Sequence, residues 1–328
     1  DNSMCLIRIM GVRKDSGEYL RFACEVAKAY CNTFVKRMIS ESLTLALEEA
    51  TSQVVRDSRR LHGGDVSDAY CVTFANEEKL FVKTHRNAPA GMFKAEAKGL
   101  QWLAKANALH IPHVVAYSSE DQTQAPFIAL EYVEQGRTTA LYDEQLGHGL
   151  AKLHQSGADT FGLSFDNFIA VLPQSNTPKP TWKEFYHTCR LEPLLTHATR
   201  KHLISTSLRL KFDALFSRMS TLVGPDEPPH RLHGDLWSGN ALCNHQGKPC
   251  LIDPAVYGGH REMDLAMMHL FGGFRTRCFD AYHEAYPLCP GHAERIPLYQ
   301  LYPLLVHVNL FGSSYIPSVE NALNQLLR

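Results

Sequence analysis

No apolar run in the 328-residue sequence approaches the roughly 20 residues that a membrane-spanning helix requires. Charge of one sign is also lacking, because 33 Lys and Arg face 34 Asp and Glu and leave a net charge of −1. A chain so nearly neutral creates no strong field that would attract nucleic acid or anionic lipid. The sequence therefore predicts neither a membrane nor a nucleic acid as a partner.

Cysteine and histidine pairs with metal-ligand spacing are missing. The nine Cys are odd in number and form no C-x-x-C pair, and the 17 His include no H-E-x-x-H. Scattered, unpaired cysteines are typical of reduced thiols rather than of a disulfide framework. The pattern predicts a cytoplasmic protein without a structural zinc site.

The N-terminal segment shows no targeting signal. The stretch "MCLIRIMGVRK" is too short and too interrupted by charge for a signal peptide. Asp15, Glu18 and Glu25 argue against a transit peptide, and Met38 directly precedes a helix-like stretch. We expect residues 1–37 to be an upstream extension of little functional content.

The sequence pattern of residues 38–134 predicts a small β-rich lobe. After a helical pattern over 41–56, the segment 61–70 is rich in turn residues, and "AYCVTFANEEKLFVKTH" alternates like two strands of a hairpin. The segment 91–107 places Phe93, Ala97, Leu100 and Leu103 on one helical stripe. Two further strand patterns follow at 111–117 and 126–134. The prediction is a sheet with one helix.

Residues 135–328 are mostly helical in pattern. Helices are predicted over 141–157, 181–198, 201–221 and 298–311, and "NALCNHQGKPCLID" reads as a second hairpin with its turn at 244–248. The chain is long enough for two lobes, each with a core. We therefore predict an α+β fold of two lobes, with a hinge near 131–136.

The stretch "RLHGDLWSGN" carries the chemistry. Its spacing H-x-D-x-x-x-x-N, from His233 through Asp235 to Asn240, matches the catalytic loop of protein-kinase-like folds. Phosphoryl transfer needs positioning and charge neutralisation, so Asp235 would accept the proton of an attacking hydroxyl. The amide oxygen of Asn240 and the carboxylate of Asp253, which follows the second hairpin, would bind Mg²⁺. The alternative is a Gly/Asn turn with a surface acid nearby.

The small lobe supplies candidate groups for ATP. Lys83 ends the strand "KLFVK", from which an amine can reach the α- and β-phosphates. Glu96 lies on the apolar stripe of the following helix, where a carboxylate needs a partner, and Lys83 is the nearest candidate. The glycine pair Gly63 and Gly64 lies ahead of the hairpin, where backbone N–H groups could cradle phosphates, although the pair also suits an ordinary turn.

Adenine is expected to bind the segment that connects the lobes. The backbone groups of Leu130, Glu131, Tyr132 and Val133 are the candidates. Recognition by backbone leaves little signature in side chains, and the side chain of Glu131 has no evident role in it. This prediction therefore depends on the position of the segment alone.

Several motifs together resemble the fructosamine kinase (ketosamine 3-kinase) family, within the aminoglycoside-phosphotransferase-like and protein-kinase-like superfamily. They are "HGDLWSGN", "IDPAVYGGHREMDLAM", "LFGGF" and "LYQLYPLLVHVNLFG", and the similarity extends from about residue 40 to 328. The resemblance implies ATP- and Mg²⁺-dependent phosphorylation of the sugar 3-hydroxyl of a ketosamine, free or protein-bound. It also implies that the phosphorylated adduct breaks down and releases the amine.

The resemblance also assigns roles to single residues. It makes Asp235 the proton acceptor, Asn240 and Asp253 the metal ligands, and Lys83 with Glu96 the phosphate-anchoring pair. Asp264 would support the catalytic loop, a structural role that its place in the first turn of a helix also fits. Three residues are candidates for the acceptor site, each with a packing role as the alternative: Trp237, His307 and Asn309.

Other activities compete with this interpretation. A kinase of another small alcohol, such as an aminoglycoside or choline, would need the same core machinery, since fold does not fix the acceptor. A protein kinase is disfavoured because Pro254 follows the metal-binding Asp and no A-P-E segment is present. A non-catalytic pseudokinase is disfavoured because the proton acceptor, the metal ligands and Lys83 are all retained.

Overall fold

The computed structural model of the protein describes residues 39–61, 67–118 and 125–328. Two predictions fall outside these described residues: the upstream extension at 1–37 and the phosphate-binding role of Gly63 and Gly64. Within the described ranges, no helix combines the length and the apolar character needed to cross a membrane.

The small lobe is built on an antiparallel sheet in the order β1-β2-β3-β5-β4. Its strands are β1 (Val55–Leu61), β2 (Asp68–Phe74), β3 (Lys79–Thr84), β4 (Val114–Tyr117) and β5 (Phe127–Glu131). The predicted hairpin is β2–β3, and it turns at Glu77, whose φ of 68° is left-handed. Strand β1 was not predicted, because "VRDSRRL" is too polar to show an apolar alternation.

Two helices pack on this sheet, where the sequence predicted helical patterns over 41–56 and 91–107 but counted only the second in the lobe. Helix α1 (Glu41–Thr51) begins at Ser40, whose hydroxyl accepts a hydrogen bond from the backbone N–H of Leu43. It ends before the predicted boundary of 56, since Ser52 takes a left-handed φ of 56° and turns the chain into β1. Helix α2 (Met92–Ala104) buries the predicted stripe of Phe93, Ala97, Leu100 and Leu103.

The large lobe contains most of the helices. They are α3 (Tyr142–Gln155), α4 (Trp182–Phe185), α5 (Glu192–Arg200), α6 (Thr206–Leu222), α7 (Glu262–Phe271), α8 (Thr276–Ala285), α9 (His292–Phe311) and α10 (Ile316–Leu326). A π-helical turn at Tyr186–Leu191 joins α4 to α5, so the predicted helix over 181–198 is not continuous. Two 3-10 turns lie at Ser238–Asn240 and Ser313–Tyr315.

Short strand pairs stand between these helices. Strands β6 (Asn167–Ile169) and β7 (Leu172–Gln174) form one hairpin, and β9 (Ala241–Cys243) and β10 (Pro249–Leu251) form the hairpin predicted for 240–253. Strand β8 (His230–Leu232) pairs with β11 (Tyr257–Gly259). These pairs bring the chain before the catalytic loop beside the chain that follows Asp253.

The two lobes share an apolar core. One hydrophobic cluster joins Leu100 and Leu130 of the small lobe to Leu236, Leu251 and other side chains of the large lobe. The backbone is tied across the same boundary, since the N–H of Leu251 donates to the carbonyl of His110 at 2.9 Å. The connection between the lobes is therefore packed against the hairpin that precedes Asp253.

Candidate active site

The catalytic loop follows β8 and is shaped by a glycine. Gly234 takes a left-handed φ of 82°, and a Cβ at this position would collide with the carbonyl oxygen of Ala255. The loop ends in the 3-10 turn at Ser238–Asn240. Asp235 thereby lies shortly before the turn, and Asn240 is the last residue of the turn.

Asp235 and Asn240 are in direct contact. The amide nitrogen of Asn240 donates to the backbone oxygen of Asp235 at 2.8 Å and to its Oδ2 at 3.2 Å. Burial, together with the negative charge of Asp253, raises the pKa of Asp235 to about 7. A carboxyl group with a pKa near neutrality suits a group that accepts a proton during catalysis.

Asp253 lies beside the loop in an uncommon backbone conformation. Its φ is 51°, in the left-handed region that side chains other than glycine seldom adopt. The amide nitrogen of Asn240 also contacts the backbone oxygen of Asp253 at 3.4 Å. The structure thus brings together the three residues that the sequence predicted for the large-lobe site.

Lys83 joins the two lobes, and the predicted Lys83–Glu96 ion pair is present. The Nζ of Lys83 lies 3.1 and 3.2 Å from the two carboxylate oxygens of Glu96 and 3.0 Å from Oδ1 of Asp253. Although burial opposes the charged form, these two carboxylates hold the pKa of Lys83 above its ordinary value. Strand β3 and helix α2 therefore deliver a permanent positive charge to Asp253.

A buried acid fixes the backbone of the catalytic loop. Asp264, in the first turn of α7, accepts hydrogen bonds from the N–H of His233 at 2.8 Å and of Gly234 at 2.9 Å. Its Oδ2 also lies 3.1 Å from Nε2 of His154, whose Nδ1 lies 2.8 Å from the hydroxyl of Tyr282. Although burial opposes ionisation, the hydrogen bond from His154 keeps the pKa of Asp264 below its ordinary value. The supporting role predicted for Asp264 agrees with these contacts.

His154 and Tyr282 were missed in the sequence. His154 is the last residue of "LGHGLAKLH", a segment whose helix was predicted, but its spacing gave no sign that α3 and α8 would meet at Asp264. A polar residue on the buried face of a helix was the available signal, as it was for Glu96. His154 is completely buried, so it needs the partners that it finds.

His233 links the loop to the strand before Asp253. Its Nε2 lies 2.9 Å from the carbonyl of Ile252, and its Nδ1 lies 3.3 Å from the N–H of Asp235. Because a carbonyl can only accept and a backbone N–H can only donate, the proton of the neutral ring belongs on Nε2. Burial lowers the pKa of His233, which favours this neutral form. His233 therefore positions both acids rather than carrying charge.

The candidate adenine segment begins where β5 ends. Leu130 and Glu131 pair with Phe81 and Leu80 of β3, and the backbone N–H of Glu131 donates to the carbonyl of His113. The side chain of Glu131 has partners of its own. It lies 3.1 Å from Nε2 of His110 and accepts from the backbone N–H of His113 at 3.1 Å. Among the predicted residues, Tyr132 and Val133 lie beyond the β ladder, in the link between the lobes.

Of the three acceptor-site candidates, Trp237 lies closest in the chain to Asp235. Its side chain is 41% exposed, and its ring covers Gly239, where a Cβ would collide with it. The segment "LFGGF" packs on the same loop, because a Cβ at Gly273 would meet the side chain of Ser238 at 2.5 Å. Because the ring is exposed beside the loop, it is accessible to a substrate, and the role of Trp237 as a wall for the sugar stays a prediction.

His307 and Asn309 lie on α9 and have different surroundings. His307 donates to the carbonyl of Pro303 at 2.7 Å, and its ring contacts Phe271 and Tyr315, each at 4.9 Å between centroids. Asn309 is buried, and its amide nitrogen donates to the carbonyls of Leu194 and Leu305. Within the described part of the chain, none of the hydrogen bonds of Asn309 reaches the catalytic loop. These contacts give Asn309 a structural role between α9 and α5.

The oxygen atoms at this site fit a magnesium ion. No group of three or more His, Cys, Asp or Glu in the described ranges could hold a metal. Mg²⁺, however, commonly takes one or two protein oxygens together with phosphate and water oxygens. The nitrogen of the Asn240 amide is engaged with Asp235 and Asp253, so its oxygen is the atom left for a cation. Asp253 adds a carboxylate that is 36% exposed.

Comparison with solved structures tests the predicted fold. The crystal structure of a candidate fructosamine-3-kinase from Thermobifida fusca superposes on this chain with a TM-score of 0.80 at 38% sequence identity. The match covers 88% of this chain and all of that one. An aminoglycoside phosphotransferase superposes with a TM-score of 0.57 at 15% identity, covering 87% of this chain and 98% of that one, a likeness that shows the fold alone. The predicted bilobal, protein-kinase-like α+β fold is confirmed.

Sequence comparison identifies the family. A protein of Enterococcus faecium named as a probable ketoamine kinase is 37% identical over 262 residues, which are 80% of this chain and 92% of that protein. A protein of Thermus thermophilus with the same designation is 37% identical over 265 residues, with the same coverage. The family model described as "Fructosamine kinase" matches residues 37–328, and the chain therefore belongs to the fructosamine kinase family.

Proposed function

We propose that the protein transfers the γ-phosphoryl group of ATP to the 3-hydroxyl of a ketosamine, free or protein-bound. The observation that carries this proposal is the meeting of Lys83 with Asp253, 3.0 Å apart across the two lobes, beside the Asp235–Asn240 pair. A proton acceptor, a cation site and an amine for the phosphates then share one cleft. Family membership supports the ketosamine as the acceptor.

Each residue has a defined task in this proposal. Asp235 accepts the proton of the 3-hydroxyl as its oxygen bonds to the γ-phosphorus, and the bond to the bridging oxygen of ADP breaks. Lys83, anchored by Glu96, neutralises the α- and β-phosphates. Asn240 and Asp253 would hold Mg²⁺, which when bound neutralises the charge on the phosphates. Asp264 and His154 keep the loop backbone fixed throughout.

The proposal extends to the fate and place of the product. The 3-phosphate would make the adduct unstable, so that the amine is released and the protein acts in deglycation. The unpaired cysteines among the described residues favour a reducing compartment such as the cytoplasm. The expected partner is the ketosamine itself, and neither a nucleic acid nor a membrane.

Phosphorus NMR of the reaction products tests the acceptor and the position together. The protein is incubated with ATP, Mg²⁺ and a panel of fructose-, ribulose- and erythrulose-derived amine adducts. We expect a new phosphomonoester coupled to the proton on C3, and no such signal with Asp235→Asn. A phosphate at another carbon would contradict the 3-hydroxyl assignment. Turnover of an aminoglycoside or choline in place of every ketosamine would assign the protein to another small-molecule kinase class.

A further inference from the structure

Arg190 is a buried cation without a carboxylate partner in the described part of the chain. It lies in the π-helical turn after α4, is fully buried, and has its guanidinium 3.8 Å from the ring centroid of Tyr257 and 4.5 Å from that of Phe185. Taking a charge out of water costs free energy unless its N–H groups are satisfied. π-helical turns are frequent at functional sites. Packing alone therefore does not explain why a charged side chain is buried at this position.

The guanidinium is bonded to the chain that follows the β6–β7 hairpin. Nη1 of Arg190 donates to the carbonyl of Ser175 at 2.7 Å, and Nη2 donates to Oδ1 of Asn176 at 2.7 Å. The amide nitrogen of Asn176 in turn donates to Oδ1 of Asn167 at 2.9 Å and to the carbonyl of Phe165 at 3.1 Å. Arg190 thereby fixes which way the Asn176 amide faces, because a guanidinium only donates.

The chain of amides continues to the segment between Asp253 and β11. Oδ1 of Asn167 also accepts from Gln174 at 2.8 Å, and the nitrogen of Asn167 donates to the carbonyl of Val256 at 2.9 Å. The nitrogen of Gln174 donates to the carbonyl of Ala255 at 3.1 Å as well. The hydroxyl of Tyr302 completes the set by donating to Oε1 of Gln174. We refer to Asn167, Gln174, Asn176, Arg190 and Tyr302 as the amide network.

This network acts on a segment that needs external support. Asp253 holds a φ of 51°, a conformation that costs free energy in a residue with a Cβ and persists only where the surroundings enforce it. On one side the N–H of Ala255 donates to the carbonyl of His233 at 2.9 Å. On the other side the amide network binds the carbonyls of Ala255 and Val256. The residues directly after Asp253 are thus held from two directions.

We infer that the amide network, closed by Arg190, positions Asp253 for cation binding. The inference rests on the proposed function, in which Asp253 is a ligand of the divalent cation. Asn167, Gln174 and Arg190 are then positioning residues, none of which touches the substrates. The network acts like the partners that orient metal ligands in metalloproteins, where loss of one such partner typically weakens metal affinity.

Binding of Mn²⁺ tests the inference without measuring activity. Electron paramagnetic resonance counts free Mn²⁺ in the presence of the protein and a non-hydrolysable ATP analogue. With Asn167→Ala we expect Mn²⁺ affinity to fall about tenfold, the low end for partners of metal ligands. Affinity for the analogue in the absence of metal should stay at the wild-type value, because the hydrogen bonds of the network among the described residues lead to the segment after Asp253 and not to Lys83 or Glu96.

A matched control separates positioning from a general loss of stability. Leu323→Ala removes a fully buried side chain of α10 and destabilises the large lobe by a cavity. At temperatures equally far below each melting midpoint, Leu323→Ala should bind Mn²⁺ like the wild type. Equal Mn²⁺ affinity for Asn167→Ala and Leu323→Ala would overturn the inference.

Two further variants keep the outcomes distinct. Arg190→Lys retains the charge but cannot span Ser175 and Asn176 together, so we expect a loss of about threefold to tenfold in Mn²⁺ affinity even if Asn167→Ala fails to fold. Asp253→Asn tests the cation site itself. If Asp253→Asn binds Mn²⁺ with the affinity of the wild type, the metal site of the proposed function is refuted. Weakened binding by Asp253→Asn with unchanged binding by Arg190→Lys would refute only the inference.

Discussion

Lys83 of the small lobe and Asp235 of the large lobe serve the same cleft, but the two lobes hold them differently. Lys83 lies between two opposite charges, Glu96 at 3.1 Å and Asp253 at 3.0 Å, which stabilise its charged form. Asp235 has the amide of Asn240 as its hydrogen-bond partner, and burial together with the like charge of Asp253 raises its pKa to about 7. One group is thus fixed as a cation, whereas the other is left able to exchange a proton.

This difference has a structural basis in what each lobe fixes. The small lobe presents an amine held by two ion pairs, one with its own Glu96 and one with Asp253 of the large lobe, and such attraction tolerates small displacements. The large lobe fixes a backbone, through the hydrogen bonds that His233 and Gly234 donate to Asp264. Both environments raise a pKa, which keeps the amine of Lys83 charged at neutral pH but brings the carboxyl of Asp235 into the range where it can exchange a proton. The contrast predicts effects of different kinds when either group is changed.

The largest effect is expected for Asp235→Asn. The amide keeps the size of the side chain but cannot accept the proton, so the rate should fall by roughly 10²–10⁴, the usual range for a positioned proton acceptor. Steady-state kinetics with a ketosamine measures this loss, and calorimetric titration with ATP should show unchanged binding. Turnover near the wild-type rate would remove Asp235 from the role of proton acceptor.

Lys83→Met should act on the nucleotide rather than on the proton. We expect kcat/KM for ATP to fall by about 10²-fold, in the range for removal of one preorganised charge or donor. The KM of the ketosamine should change little. Lys79→Met, at the exposed start of the same strand, is the matched control and should behave like the wild type. Equal effects of the two substitutions would show that the position of Lys83 in the cleft is irrelevant.

Asp264→Asn tests whether the large lobe depends on its fixed backbone. An amide can accept at only one of its two ends, so the N–H of His233 or of Gly234 would lose its partner. We expect the free energy of unfolding to fall by about 2 kcal/mol, the scale of hydrogen bonds to a charged group. Chemical denaturation measures this change. Asp226→Asn, an exposed acid shortly before the same loop, should leave stability unchanged.

The smallest effect concerns the pH dependence of stability. Because the pKa of Asp235 is about 7 in the folded protein and ordinarily 3.8, the folded state retains a proton between these values that the unfolded state releases. The contribution of Asp235 to stability should therefore decline as pH rises from about 4 to 7. Without metal or nucleotide, Asp235→Asn should be more stable than the wild type at pH 8, by on the order of 1 kcal/mol after screening in the open cleft.

Thermal unfolding of the two proteins across this pH range measures the difference. The gap between their midpoints should close as pH falls below about 4, where Asp235 becomes protonated in both states. A gap that stays constant with pH would show that Asp235 is not the titrating group, and that the contrast with Lys83 does not arise from its charge.

Local patterns predicted much of the site and its elements. The spacing from His233 to Asn240, the hairpin before Asp253 and the pairing of Lys83 with Glu96 are all readable from short segments. Strand β1 could not be predicted, because its polar side chains show no apolar alternation. Its strand conformation depends on backbone pairing with β2, which the sequence of β1 alone does not reveal. The contact of His154 with Asp264 joins residues 110 positions apart, and no periodicity encodes such a meeting.

The amino-acid sequence by itself determined which chemical groups are available: the carboxyl groups of Asp235 and Asp253, the amide of Asn240 and the amine of Lys83, each of which lies beside a turn or a strand that the sequence predicts. Only the tertiary structure decided their charge states and their support. Lys83 meets Asp253 across 170 positions, and Arg190 reaches the segment after Asp253 through the amides of Asn176 and Asn167. The physical reason is that pKa values and buried hydrogen bonds depend on distances in space, which folding sets and sequence spacing does not.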